Sequence, residues 1–286
     1  MSIQSRYTKY DEFGAKAVEN YLDTEVMNNF VEFLRQFYPQ DIFFLMSFPR
    51  SGNGWIRYLV TEALLISAGI DLKDSRRDTY HYNNVNAHCI VTKSGKSFGI
   101  EELFADYYAI DKKDFKNNYF QKSYLVPDNV YIKTHHLVSR KDVKTVHLYR
   151  HPKDVCISFF CFTYINNKLI AIDRNSPDFI HFFKQAIKSY LNVYHKILDF
   201  YKSNASEKIL LLRMEDMVSN SGASFDILLD FFNINITAKA KNEILARNPK
   251  LQTTDKMIWT IIENLWDEEL DTYAKNSIEL FAVGDK

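Results

Sequence analysis

The segment between residues 42 and 69 constrains this chain's fold more than any other. Ile42-Phe43-Phe44-Leu45-Met46 is an unbroken apolar run, the pattern of a strand buried on both faces of a sheet. Phe48-Pro49-Arg50-Ser51-Gly52-Asn53-Gly54 follows as a turn-forming loop. Trp55, Ile56, Leu59, Val60, Ala63 and Leu64 then recur at helical spacing until Gly69 closes the segment. A doubly buried strand that passes through a glycine-bearing loop into a helix is the opening unit of an α/β fold.

The rest of the chain repeats that alternation. Val26, Met27, Phe30, Val31, Phe33, Leu34 and Phe37 predict a helix over about 25–38, ended by Pro39. Val130–Lys133, Val143–Tyr149 and Lys208–Arg213 read as further strands. Pro152 suits the first turn of a helix, with Asp154 near its positive end. A long helix from about Pro177 to Tyr201 turns Phe179, Phe182, Phe183, Ala186, Ile187, Tyr190, Leu191, Tyr194 and Ile197 to one side. The expected fold class is therefore α/β, with a central parallel sheet flanked by helices. Residues 70–128 lose this regularity and predict a long irregular insertion, suited to substrate contacts. No linker or repeat interrupts the chain, so one domain over 1–286 is expected.

Composition removes several function classes. The chain has 36 Lys+Arg against 36 Asp+Glu, which argues against a generic nucleic-acid binder. With 22 Phe, 18 Tyr and 3 Trp it has side chains for a large core and is not disordered. Cys89, Cys156 and Cys161 form no CxxC pair, which favours a reducing compartment over a disulfide framework. No signal-like stretch or membrane-spanning run is present, so the expected setting is cytoplasmic, away from membranes. The oligomeric state is not legible.

The loop at 48–55 carries the chemistry. Glycines between a strand end and a helix start let backbone N–H groups approach an anion, which the helix dipole also favours. Arg50 adds a charged donor, and Ser51 and Asn53 add side-chain donors. An ordinary strand-to-helix turn is the plainer alternative. No Walker A loop is present: Gly95-Lys96-Ser97 is a decoy, because Ile90 stands where the first glycine belongs. His147 and His151 have zinc-like spacing but straddle a strand end, so no metal site is expected.

The loop resembles the 5′-phosphosulfate loop of cytosolic-type sulfotransferases, Tyr/Phe-Pro-Lys-Ser-Gly-Thr-Thr-Trp. Arg150-His151-Pro152-Lys153-Asp154, with Ser158 eight residues after Arg150, is similar to that family's 3′-phosphate motif. Ile132-Lys133-Thr134-His135 resembles the segment that holds its catalytic base, and Arg213-Met214-Glu215-Asp216 its later Tyr-Glu-Asp segment. The resemblance covers about residues 43–217. It implies the P-loop-like sulfotransferase fold and transfer of a sulfuryl group from 3′-phosphoadenosine 5′-phosphosulfate (PAPS), without a metal, to a small-molecule hydroxyl or amine.

By the same resemblance His135 would be the general base, with Arg50, Lys133 and Ser158 the other catalytic side chains. Arg50, Ser51, Gly52, Asn53, Gly54, Trp55, Arg150, Ser158 and Met214 would bind the nucleotide. Histidine suits the base role because its ordinary pKa lies near 6.5. His136 is a neighbouring rival, and Trp55 serves equally as a core anchor or as a platform for adenine. Lys133 could instead position the loop.

Four departures stand out. Arg50 replaces Lys and cannot act as an acid, and Asn53-Gly54 replaces Thr-Thr. Met214 replaces Tyr, and the C-terminal Arg-Lys-Gly-x2-Gly-Asp-Trp segment has only Phe281–Lys286 in its place. A non-catalytic nucleotide-binding protein of this fold is the alternative reading, with a small-molecule kinase behind it. For the acceptor, Tyr80, His81, Tyr82, His88, Glu101, Glu102, Tyr107 and Tyr108 would form a polar wall, suited to a guanidinium alkaloid of the saxitoxin type that cyanobacterial members of the broader family sulfate.

Overall fold

The computed structural model describes residues 18–36, 41–67, 69, 75–77, 89–92, 97–99, 105–106, 130–166, 172–173, 175–248 and 256–278. Helix α1 (Thr24–Arg35) is capped by the Asp23 side chain, which accepts from the Glu25 N–H. Strand β1 (Ile42–Ser47) is buried along its whole length, and α2 (Asn53–Ser67) follows the loop. Three strands, β2 (Ser75–Arg77), β3 (Cys89–Thr92) and β4 (Ser97–Gly99), form a separate antiparallel sheet. Next come β5 (Ala105–Asp106), β6 (Val130–Thr134), β7 (Lys144–Tyr149), α3 (Pro152–Phe160) and a π-helical turn over Cys161–Asn166. The chain continues with α4 (Pro177–Ser203), β8 (Ile209–Arg213), α5 (Met214–Ser219), α6 (Ser221–Phe231), α7 (Ala238–Arg247), α8 (Lys256–Glu263) and α9 (Glu268–Ile278).

The main sheet runs β5-β6-β1-β7-β8, and every neighbouring pair in it is parallel. The expected fold class therefore holds. Side chains alternate across β1: Phe43 and Leu45 join the α2, α5 and α6 layer, while Met46 joins the α3 and α4 layer. With β1 central, connections leave to β6 on one side and to β7 and β8 on the other. An open parallel sheet binds its ligands at such a switch point, beyond the strand C-termini.

Register sets those termini level. Leu45 pairs with Lys133, Ser47 with Leu148 and Tyr149 with Arg213. The loop after β1, Lys133 near the end of β6 with His135 just beyond it, Arg150 after β7 and Arg213–Glu215 at the end of β8 therefore share one edge. One expectation needs correction: the 70–128 insertion is not irregular throughout. Cys89–Thr92 pairs with two neighbouring strands, and Ala105–Asp106 adds an edge strand to the main sheet. Period-2 patterning over three or four residues is too short to read against the surrounding polar side chains.

Candidate active site

The 48–54 loop is held under strain. Phe48 is fully buried and meets Tyr21, Phe159 and Tyr194 edge-on. The Ser51 N–H turns back to the Phe48 carbonyl at 3.2 Å. Arg50 has φ +69, left-handed backbone that costs a side-chain-bearing residue about 1–2 kcal/mol. Such outliers cluster where geometry serves function. Its Nε donates to Ser158 Oγ at 3.3 Å, and its guanidinium lies 5.0 Å from the centre of the Phe162 ring. Burial, and then the Arg150 guanidinium nearby, lower the Arg50 pKa from its ordinary value. Arg50 stays cationic near neutral pH, in surroundings that favour an anion between the two arginines.

Gly52 has φ +99, and a Cβ there would stand 2.7 Å from Met214 Sδ. Met214 is 1% exposed, so it supports the loop from beneath. Nothing lies within 4 Å of a Cβ placed on Gly54, which leaves open space beside the first turn of α2, where the Trp55 and Ile56 N–H groups turn back to the Gly52 carbonyl. The Ser51 hydroxyl is fully buried with no hydrogen-bond partner. Asn53 turns its amide inward and donates to Ser47 Oγ at 3.2 Å. The Asn53 amide is thus committed to the protein, while the Ser51 hydroxyl remains an unused donor in the loop.

His135 and His136 part company. His135 Nδ1 lies 2.6 Å from the Ser47 carbonyl oxygen, which can only accept, so Nδ1 carries the hydrogen and Nε2 the lone pair. That lone pair accepts from Lys133 Nζ at 2.7 Å. Lys133 is 5% exposed. His136 is buried, donates from Nδ1 to the Asn20 carbonyl at 2.9 Å and meets Tyr21 edge-on. Burial lowers its pKa. His147 lies in the core, with its ring stacked 4.6 Å from Tyr201. Among the described residues no group of three His, Cys, Asp or Glu side chains could hold a metal ion.

Arg150 is anchored through its backbone. Its N–H donates to the Tyr194 hydroxyl at 3.2 Å, and that hydroxyl donates to the Arg150 carbonyl. Its guanidinium pairs with Asp154 at 3.0 Å, in the first turn of α3. Glu215 accepts from the His151 N–H at 2.9 Å, tying the end of β8 to that of β7. Trp55, half-buried, donates from its indole N–H to the Asn248 carbonyl at 2.6 Å. The acceptor wall, from Tyr80 to Tyr108, and Phe281–Lys286 lie outside the described residues.

The Sulfotransfer_1 family model, a sulfotransferase domain, matches residues 40–260. The chain belongs to the sulfotransferase family. The expectation of a sulfotransferase, drawn from three short motifs, thus extends over most of the chain, and the P-loop-like fold stands with it. Solved sulfotransferases are similar at low identity. A mouse enzyme complexed with PAP is 15% identical, with TM-score 0.48, over 75% of this chain and 66% of that one. Retinol dehydratase with retinol and PAP is 15% identical, with TM-score 0.49, over 86% of this chain and 82% of that one. A Mycobacterium avium sulfotransferase is 11% identical, with TM-score 0.47, over 87% and 80%. No curated protein matches the sequence.

Sequence reading missed Ser47, whose carbonyl orients His135 and whose hydroxyl receives Asn53. It also missed Tyr21, Phe162, Tyr194 and Asn248. None belongs to a motif. Each reaches the site through a long-range contact, and only Tyr194 shows a sequence signal, its place on the apolar face of α4.

Proposed function

We propose that this sulfotransferase moves the sulfuryl group of PAPS to a hydroxyl or amine of a small molecule, leaving adenosine 3′,5′-bisphosphate (PAP). The observation that carries the reading is the convergence of Arg50, Lys133, His135 and Arg150 on one sheet edge, beside the first turn of α2. In the proposed step the acceptor atom attacks sulfur in line, and the bond from sulfur to the 5′-phosphate oxygen breaks. That oxygen leaves with the electron pair. The loop N–H groups and Arg50 meet its growing charge, while His135 Nε2 takes the acceptor proton.

Lys133 now occupies that lone pair. A sulfuryl group arriving beside the ammonium would draw it away and free the base, so donor binding would arm His135. Arg150 and Ser158 would hold the 3′-phosphate, and no metal is enlisted. The acceptor we favour is polar or cationic, a guanidinium alkaloid being the class that Glu101 and Glu102 in the insertion would suit.

Incubation of the protein with PAPS and a metabolite panel, read by mass spectrometry, tests the proposal through the mass of an added sulfuryl group. His135→Ala should abolish transfer yet bind PAP, and Arg150→Ala should weaken PAP binding. Tight PAP binding by the wild-type chain with no transfer to any acceptor class would instead mark a non-catalytic binder.

A further inference from the structure

Trp55 and Glu62 lie seven residues apart on α2, two turns along one face and about 10 Å along the axis. Both bond to a single residue at the end of α7. The Asn248 main-chain carbonyl accepts the Trp55 indole N–H at 2.6 Å. The Asn248 side-chain amide donates to Glu62 Oε2 at 2.8 Å and to the Ile244 carbonyl at 2.8 Å. Glu62 is 4% exposed and Asn248 2%. A carboxylate and an amide so deeply buried are costly where an apolar pair would pack as well. What such a network adds is position: with both amide hydrogens committed, the Asn248 side chain holds the residue against α2 at Glu62 and keeps its main-chain carbonyl beside the indole.

Trp55 stands in the first turn of the helix that begins at the donor loop. A ring tethered by one edge cannot swing, and its faces stay fixed relative to Arg50 and Gly52. We infer that Glu62 and Asn248 are positioning residues, which hold the Trp55 indole as a rigid platform for the purine base of the donor nucleotide. The inference rests on the nucleotide-binding reading above and adds to it two side chains that do not touch the ligand. It also makes the end of α7 part of the donor site.

The test measures PAP affinity by titration calorimetry, and KM for PAPS beside kcat, for Trp55→Phe, Asn248→Ala, Glu62→Leu and Glu62→Gln. Base stacking and ring orientation should be worth about 5- to 100-fold in affinity. Asn248→Ala and Glu62→Leu should each weaken PAP within that range and raise KM for PAPS by a larger factor than they lower kcat. Glu62→Gln keeps an acceptor oxygen and should recover most of the affinity, a rescue that holds even if Glu62→Leu folds poorly. Trp55→Phe keeps a ring but loses the tether and should match Asn248→Ala, and the double variant should be no weaker than either alone. PAP affinities equal to wild type in folded Asn248→Ala and Trp55→Phe would overturn the inference and leave a plain helix brace. If the wild-type chain itself fails to bind PAP, the functional reading falls and this one with it.

Discussion

Gly52→Ala isolates what the donor loop demands of its backbone. Two costs add at this position. The φ of +99 lies beyond the left-handed well that side-chain-bearing residues tolerate, a penalty of about 1–2 kcal/mol. The new methyl would also stand 2.7 Å from Met214 Sδ and 2.9 Å from its Cε, so a buried side chain must move, at about 1–2 kcal/mol more. The expected destabilisation is about 2–4 kcal/mol by urea denaturation, with weaker PAP binding as the loop shifts. A double-mutant cycle separates the two parts. Met214→Ala alone opens a cavity and should cost about 2–5 kcal/mol. Adding Gly52→Ala to it should then cost only the backbone part, about 1–2 kcal/mol, a coupling of about 1–2 kcal/mol. Strict additivity, or a Gly52→Ala protein within about 0.5 kcal/mol of wild type, would refute the reasoning.

Arg50→Gly and Arg50→Ala both remove the guanidinium, and both should abolish transfer. Because the backbone there is left-handed, the glycine variant should be the more stable by about 1 kcal/mol on denaturation, against glycine's usual entropic disadvantage. Burial lowers the His147 pKa to about 3. Below its ordinary value near 6.5 the unfolded chain therefore takes up a proton that the folded chain refuses, and stability that is complete above that pH is lost as the pH falls toward 3, at up to about 1.4 kcal/mol per pH unit. His147→Phe, which keeps a ring against Tyr201, should flatten that acid slope in a pH series of denaturation curves; an unchanged slope would clear His147 of the effect.

The parallel sheet was legible because burial on both faces leaves a mark that needs no partner to interpret: β1 is apolar in sequence from Ile42 to Met46 and buried in place. The contact of Arg50 with Ser158, 108 positions on, was not legible; motif order gave only the two segments that carry them. What motif reading could not reach is which way a side chain turns. Ser51 and Asn53 belong to the loop by sequence, yet a hydrogen bond to Ser47 holds the amide of Asn53 while the hydroxyl of Ser51 is buried without a partner. Met214 illustrates the same limit. Its place in the motif suggests a nucleoside contact, whereas packing puts its sulfur under Gly52. The neighbours His135 and His136 were separable only through β6 register and the carbonyls each ring meets.

The charge balance of 36 against 36 and the cationic site are compatible because an anion site needs local excess, not global excess. Several surface cations among the described residues have carboxylates close by, as Lys184 and Lys188 do with Glu269 and Arg140 does with Asp142, and such pairs do little beyond their own neighbourhood. At the sheet edge Arg150 is paired with Asp154 in the same way, but Arg50 and Lys133 have contacts of another kind. Arg50 meets a hydroxyl and an aromatic face, feels Arg150 as a like charge, and is partly stripped of water. Lys133 meets an imidazole nitrogen. In these contacts hydroxyl, ring and imidazole are neutral groups that hold the two cations in place at the edge. A bound phosphate or sulfuryl oxygen would relieve both the desolvation and the repulsion, so affinity is gained where the free protein is least comfortable.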